Sequence, residues 1–338
     1  MYASQIESKQ PDAVVYLRTG NGRETMRLLV SCISTKHSVL KEHWSASSEK
    51  TACPLTVLGS YEKPKEDLGG LMCLLEDLGT ARQTVDLKMA AGMVDSEQGV
   101  FVTSFSSIHE FDPEQRVIRH DVVSSPLFNA LHSISRSRRG YLVASTGVDL
   151  LVEFNRQGEI LWTWWATDHG FDRTPAGRLR RIDKTADHRT LKYGTLSQTT
   201  HVNSVAELPD GRVLATLFHQ GTVIAIDRAS GDWQTVLSGL DHPHAVRVLD
   251  EQHFTVADTV GGRALLVSLT GQEGKIEAQI DAGTSWLQDC RYDTGSNCWV
   301  LVDGKNSRVL LRGGLAGDKA LASFDLDPEW RLYEAHIL

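Results

Sequence analysis

No stretch of the chain is apolar for the roughly 20 residues that a membrane-spanning helix needs, and the first twelve residues have neither the cationic start nor the apolar run of a secretory signal. The expectation is a soluble cytoplasmic protein without a membrane partner. The five cysteines, Cys32, Cys53, Cys73, Cys290 and Cys298, are odd in number and show no CxxC pair, so neither a full disulfide framework nor a zinc ribbon is indicated. Reduced, mostly buried thiols follow, with Cys290 closest to a predicted inner strand. Basic excess is also missing: 35 Lys and Arg against 43 Asp and Glu give a net charge of −8, which excludes a broad electrostatic footprint for nucleic acid. The chain has no P-loop, no dinucleotide-binding glycine fingerprint, no nucleophile elbow and no HExxH, so no nucleotide cofactor is expected.

What is present is a repeat. From His201 to Trp233 the sequence HVNSVAELPDGRVLATLFHQGTVIAIDRASGDW reads as short alternating strands separated by turns at Pro209-Asp210-Gly211 and Ser230-Gly231. The same grammar recurs from His132 to Trp162, from His244 to Gly271 and from Gln288 to Arg312. Weaker copies lie at Ala91 to Asp112 and at Arg27 to Cys32 with His37 to Leu40. Units of about 40 residues with four short strands are the signature of a β-propeller, and the 338 residues accommodate six blades in one domain.

Residues 1–12 read as a flexible lead, and the strand-like segment Trp330 to Leu338 as a candidate to complete a blade begun at the other end, because an open ring would leave unpaired edges. Lys41 to Arg82 parses poorly and has room for a strand pair and a helical turn. Residues 166–200 form a long polar loop rich in Arg, Lys and Asp; loops of this length act as lids or binding loops, or are simply solvated. Trp162, Trp164 and Trp165 suit packing of an outer strand.

The first strand of each propeller blade faces the central channel. Counting back from the second strand places His132, His201 and His244 at equivalent positions in three successive blades, with Asp289 at that position in the next. Three imidazoles and a carboxylate around one cavity suit a divalent metal such as Zn, Fe or Mn, which acidifies water or polarises a carbonyl. Without metal, the same histidines suit nucleophilic or acid–base catalysis. His219 is a further candidate at the pocket rim, and His242 precedes Pro243 in a connecting loop.

The segment from His201 to Trp233 resembles the bacterial arylsulfotransferase propellers, with their His-x-Asn-Ser strand, Arg-His-Gln segment and Ile-Asp-Arg-x-x-Gly turn. The His132 and His244 segments are similar to that family's other histidine-bearing blades, so the likeness spans residues 130 to 270. It implies a six-bladed propeller with His132, His201 and His244 in the active site and His244 as carrier of the transferred group. Where that family places Arg before His-Gln, this chain has Phe218 before His219-Gln220. Phe cannot grip sulfate oxygens as a guanidinium does, and the loss of one such donor is on the scale of about 3 to 4 kcal/mol. From His244 onward the blades also resemble NHL and related lyase propellers, with Val256-Ala-Asp-Thr259 and Asn306-Ser-Arg-Val309; some members of that group hold a divalent metal on axial histidines. Three functions therefore stay open: metal-dependent lyase, hydrolase or oxygenase chemistry on a small molecule, anionic or aromatic; arylsulfotransferase-like transfer through His244; and a non-catalytic binding propeller.

Overall fold

The structure, a computed structural model, describes residues 16–19, 22–42, 67–76 and 81–338. The flexible lead at residues 1–12 and Cys53 lie outside the described residues. Tyr16–Thr19 pairs with Gly22–Thr25 as a separate hairpin, and twenty-four further strands form six antiparallel sheets of four.

Blade 3 shows how sequence becomes blade. Leu131–Ser137, Gly140–Ser145, Leu150–Phe154 and Ile160–Trp165 run in sequence order from the channel outward. Its third strand, LLVEF, is buried along its whole length, whereas the outermost, ILWTWW, is largely exposed until its last two residues. Continuous apolar middle strands are what sheets covered on both faces require. Blades 2, 4, 5 and 6 begin with Met93–Asp95, Val202–Glu207, His244–Val248 and Leu287–Asp293 on the channel side.

Between successive blades lies one apolar cluster each. Leu142, Leu151 and Trp164 of blade 3 meet Val205, Val213 and Ile224 of blade 4, and Leu214 and Val223 of blade 4 meet Phe254 and Val256 of blade 5. Trp162 and Trp164 donate their indole N–H to Arg228 and Gly231 carbonyls, 3.1 and 3.0 Å away, so these tryptophans lace an outer strand to its neighbour. Buried aspartates pin the turns beside the channel: Asp258 accepts the Asp241 N–H and the Arg263 guanidinium, while Asp303 accepts Thr284, Asn306 and Arg308.

Blade 1 corrects one sequence reading. Its strands are Leu28–Ser34, Leu71–Glu76 and Ala81–Asp86, whereas His37 to Leu40, read as a strand, lies in a helical segment over residues 37–42. The channel-side strand of blade 1 is Arg331–Ile337, which pairs antiparallel with Leu28–Ser34. The C-terminal strand therefore closes the ring. Leu332 in that strand is fully buried among Cys32, Val300 and Val309. Leu332→Ala is expected to cost about 2 to 5 kcal/mol of unfolding free energy in a urea titration, whereas Val117→Ala, at a side chain that is 52% exposed, is expected to stay within about 0.5 kcal/mol.

Candidate functional site

Hydrogen bonds between neighbouring inner strands fix which residues share a level around the channel. Ser133 accepts the Val205 N–H, Ser204 accepts the Val246 N–H, and Asp289 accepts the Ala335 N–H, at 3.1, 2.9 and 3.1 Å. Stepping back one residue from each acceptor and two from each donor places His132, Asn203, His244, Gln288 and Tyr333 on one tier. His201 stands a tier above, with Trp286 and Arg331. The sequence count that put His201 level with His132 and His244, and Asp289 with them, is thus corrected. It fails because the inner hairpins differ in length, Ser137 pairing with Gly140 but Glu207 with Val213. In addition, the bulges that start the inner strands fall at different positions.

Despite the offset, the histidines converge. The His132 and His201 rings are 5.0 Å apart between centroids, His201 lies 5.9 Å from His219, and Phe218 sits 4.7 Å from His201 and 5.5 Å from His244. His132, His201 and His244 line an upper cavity of about 390 Å³ with Phe105, Tyr193, Leu196 and Trp286. Asp289 belongs to the opposite half of the channel, where its carboxylate pairs with Arg247 at 2.6 Å.

Each of the three histidines is held by Nδ1. His132 Nδ1 donates to the Ala130 carbonyl at 2.7 Å, and His244 Nδ1 lies 3.0 Å from the His242 carbonyl and 2.8 Å from the Thr259 hydroxyl. His201 Nδ1 bonds the Gln198 side-chain oxygen, and that amide is oriented by its own N–H bond to the Tyr193 carbonyl at 3.1 Å. With Nδ1 protonated, Nε2 carries the lone pair in all three. No hydrogen bond among the described residues reaches those Nε2 atoms. His219 is different, because its Nε2 is spent on the Thr195 carbonyl at 2.9 Å.

Burial keeps these imidazoles neutral. It lowers His132 to about 4 and, with the nearby His132, lowers His244 to about 3. His201 is held well below the ordinary range by burial and by its imidazole neighbours. The described thiols are inert: Cys32, Cys73, Cys290 and Cys298 are free and buried, and burial raises the pKa of each.

His201 has a left-handed backbone, φ 48°, which a non-glycine residue adopts at a cost of about 1 to 2 kcal/mol. Asp149 holds it there. The fully buried Asp149 carboxylate accepts the N–H groups of Thr199, Thr200 and His201 at 2.7, 2.9 and 2.8 Å, both threonine hydroxyls, and the Arg180 guanidinium. Burial works to raise its pKa, but Arg180 and these donors outweigh that and hold it below the usual carboxylate range. No motif in the sequence marks Asp149, Gln198, Trp286 or Tyr333.

The long loop packs across the upper opening. Lys192, Tyr193, Thr195 and Leu196 line the cavity, and the Asn129 amide ties the loop down through the His188 and Leu191 carbonyls. Of the loop's other cations, Arg180 is spent on Asp149, Arg189 on Asp187 and Arg173 on the Gly177 carbonyl.

A divalent metal would need three donors near one point, and among the described residues no three His, Cys, Asp or Glu side chains are gathered so. Also among the described residues, no helix is long and apolar enough to cross a membrane.

No protein-family model matches the chain, and no curated protein sequence matches it. Among solved structures, a protein of unknown function from Bacteroides caccae superposes with a TM-score of 0.58 at 10% identity, over 93% of this chain and 98% of its own. A chain of a nidogen/laminin complex gives 0.57 at 12% identity, over 92% and 98%. The periplasmic gluconolactonase of Pseudomonas aeruginosa gives 0.51 at 11% identity, over 93% and 99%. At such identities the likeness is one of fold, and a fold found in both an enzyme and a chain of an intermolecular complex does not assign an activity.

The site has two measurable consequences. Because the folded pKa of His132 is lowered to about 4 from 6.5, the unfolded chain takes up the proton first. The histidine's contribution to stability is therefore complete above 6.5 and is lost as the pH falls from there toward 4. Urea midpoints are expected to drop between pH 7 and pH 4.5, and to drop less in His132→Asn. Asp149→Asn leaves the Arg180 cation buried without its counter-charge and is expected to cost about 3 to 5 kcal/mol in the same titration at pH 7.

Proposed function

We propose that the protein is an enzyme acting on a small molecule in the upper cavity, with neutral imidazoles as its acid–base groups, in hydrolysis or elimination. The observation that carries this reading is the common tautomer of His132, His201 and His244, each anchored at Nδ1 and each with an unprotonated Nε2 at one cavity. A base must be unprotonated before it reacts, and burial keeps these three so at neutral pH. His201, on the upper tier, abstracts the proton from water or from a carbon acid. The imidazolium of His201 then returns that proton to the leaving group, while His132, about 5 Å below, and His244, unprotonated at Nε2, accept hydrogen bonds that orient the substrate.

The walls describe the substrate. Phe105, Tyr193, Leu196, Phe218 and Trp286 suit an apolar or aromatic body, and Lys192 and Arg331 put positive charge beside it. Arg331 is buried, lies 5.1 Å over the Trp286 ring and has its pKa lowered to about 10 by burial, so it keeps its charge at neutral pH and attracts a carboxylate or a developing oxyanion. No three His, Cys, Asp or Glu side chains among the described residues are gathered to hold a metal ion, and no step of this reading runs through a metal.

Transfer of a group through His244 is the second reading. It is favoured by the double anchoring of its Nδ1, which leaves a neutral, oriented nucleophile. Phe218, however, occupies the place of the arginine that sulfate would need, and packs on His201, His242 and His244.

The test is turnover of p-nitrophenyl esters, aryl lactones and p-nitrophenyl sulfate by purified protein, with elemental analysis alongside. Turnover of an ester or lactone, with kcat/KM falling about 10²- to 10⁴-fold in His201→Ala without stoichiometric metal, is the expected result. Stoichiometric Zn, Fe or Mn lost in His201→Ala would replace it with the metal-dependent reading. Sulfate transfer lost in His244→Ala would replace it with the second reading. Absence of any turnover above the triple His→Ala variant would leave a binding propeller.

A further inference from the structure

The lower half of the channel is a separate cavity of about 350 Å³. It meets the upper one at a septum of His132, His244, Gln288 and Tyr333, which line both. Its volume is within the range of small-molecule sites, and its walls hold polar atoms with nothing to bond. Asn203 and Gln288 are only 1% and 4% exposed, yet Nδ2 of the first and Nε2 of the second have no partner. Their orientation is fixed, since the Asn203 oxygen accepts the Thr216 hydroxyl at 2.6 Å and the Gln288 oxygen accepts the Trp286 indole N–H at 2.8 Å. Each amide therefore presents its NH₂ group as an orphan donor. The Nε atoms of Arg247 and Arg291, the Ser135 hydroxyl and Nδ1 of His336 lie buried around the same cavity, also without partners.

Most of the charges there are already matched within the protein, and Arg136 bonds the Ser96 carbonyl at 3.3 Å. Arg247 bridges Asp289 and Glu334 at 2.6 and 3.0 Å, and Arg291 approaches Glu334 at 3.4 Å. His336 meets Asp95 at 2.8 Å, and Glu207 pairs with Arg228 at 3.0 Å. An anion entering the cavity would face the Asp289 and Glu334 carboxylates as well as the arginines and would disrupt buried ion pairs, which is costly. What the site lacks is a set of neutral groups that both accept and donate: acceptors for the two amides and the two arginine edges, and donors for the remaining lone pairs of the carboxylates. Hydroxyl groups do both. They also reproduce the bonds of the water that would otherwise fill the space, so displacing that water forfeits little.

We propose that the lower cavity is a second ligand site, distinct from the His201 pocket above it, for a neutral polyhydroxylated molecule of monosaccharide size. Buried unpaired polar atoms are rare in folded proteins, and here six of them belong to residues that line one volume.

The test is isothermal calorimetry and thermal denaturation of the full chain with D-glucose and D-sorbitol as neutral probes, and with sodium phosphate and citrate as anionic ones. Saturable binding of a neutral probe, weakened at least tenfold in both Asn203→Leu and Gln288→Leu and unchanged in His201→Ala, is expected. Arg291→Met, at a group less buried than the amides, guards against misfolding of the first two variants and should weaken the same probe. Saturable binding of phosphate or citrate alone, neutral binding insensitive to these substitutions, or no saturable binding of either sugar probe up to about 50 mM would each overturn the proposal; the last would leave the cavity to water. His201→Ala separates this result from that of the upper site, because it removes the proposed base there and leaves the lower walls untouched.

Discussion

Among the described residues, the channel-side strand of blade 1 is Arg331–Ile337, which fills that place by backbone pairing with Leu28–Ser34. A sheet edge left bare is an invitation to mispairing, and here it would also strip Leu332 and Ala335 from the apolar cluster between blades 6 and 1. Loop-closure entropy for such a long span is offset by the contacts that the last strand makes on docking. The same strand delivers Arg331 and Tyr333 to the upper cavity and Glu334 and His336 to the lower one. The strand that closes the ring thus also completes the walls of both halves of the channel.

A second knot is tied at Asp149. Its carboxylate collects donors from Thr199, Thr200 and His201 and from Arg180, residues at the end and in the middle of the long loop. One buried charge thus anchors the loop over the upper opening and holds His201 in its left-handed backbone. The cost of burying Asp149 is met by hydrogen bonds to both of its oxygens, the condition under which a buried carboxylate stays ionised. Loop position and imidazole orientation are set by one group, so a lesion at Asp149 moves both.

The architecture was readable in the sequence because a blade repeats its turn chemistry: Asp210-Gly211, Ser230-Gly231 and the Asp258-to-Arg263 spacing recur in space as they do along the chain. Radial repetition also sends any residue at the top of an inner strand toward the axis, where His132, His201 and His244 line the upper cavity. The tiers were not readable. Counting residues across a hairpin assumes a constant loop, and the blade 3 hairpin turns in two residues where that of blade 4 takes five. Asp289 consequently fell below the histidine tier and Asn203 took the place assigned to His201. Tyr333 and Trp286 were illegible for another reason: one depends on which terminus closes the ring, and the other sits in a connection with no pattern.

Tier by tier, the channel changes character. At the top, aromatic rings and neutral imidazoles exclude water and push the histidine pKa values down. Below the septum, carboxylates and guanidiniums neutralise one another and leave amide and hydroxyl groups unmatched. A low-dielectric chamber above a polar one keeps their electrostatics apart, because opposite charges that pair at short range project little field beyond it. The His132 and His244 rings stay neutral although the Arg247–Asp289 ion pair lies in the cavity beneath them. The septum residues share this duty. Gln288 accepts the Trp286 indole N–H from the upper side, and its own amide N–H is left to the lower cavity. A ligand in the lower cavity that bonded that amide would bear on Trp286, and through it on one wall of the upper pocket.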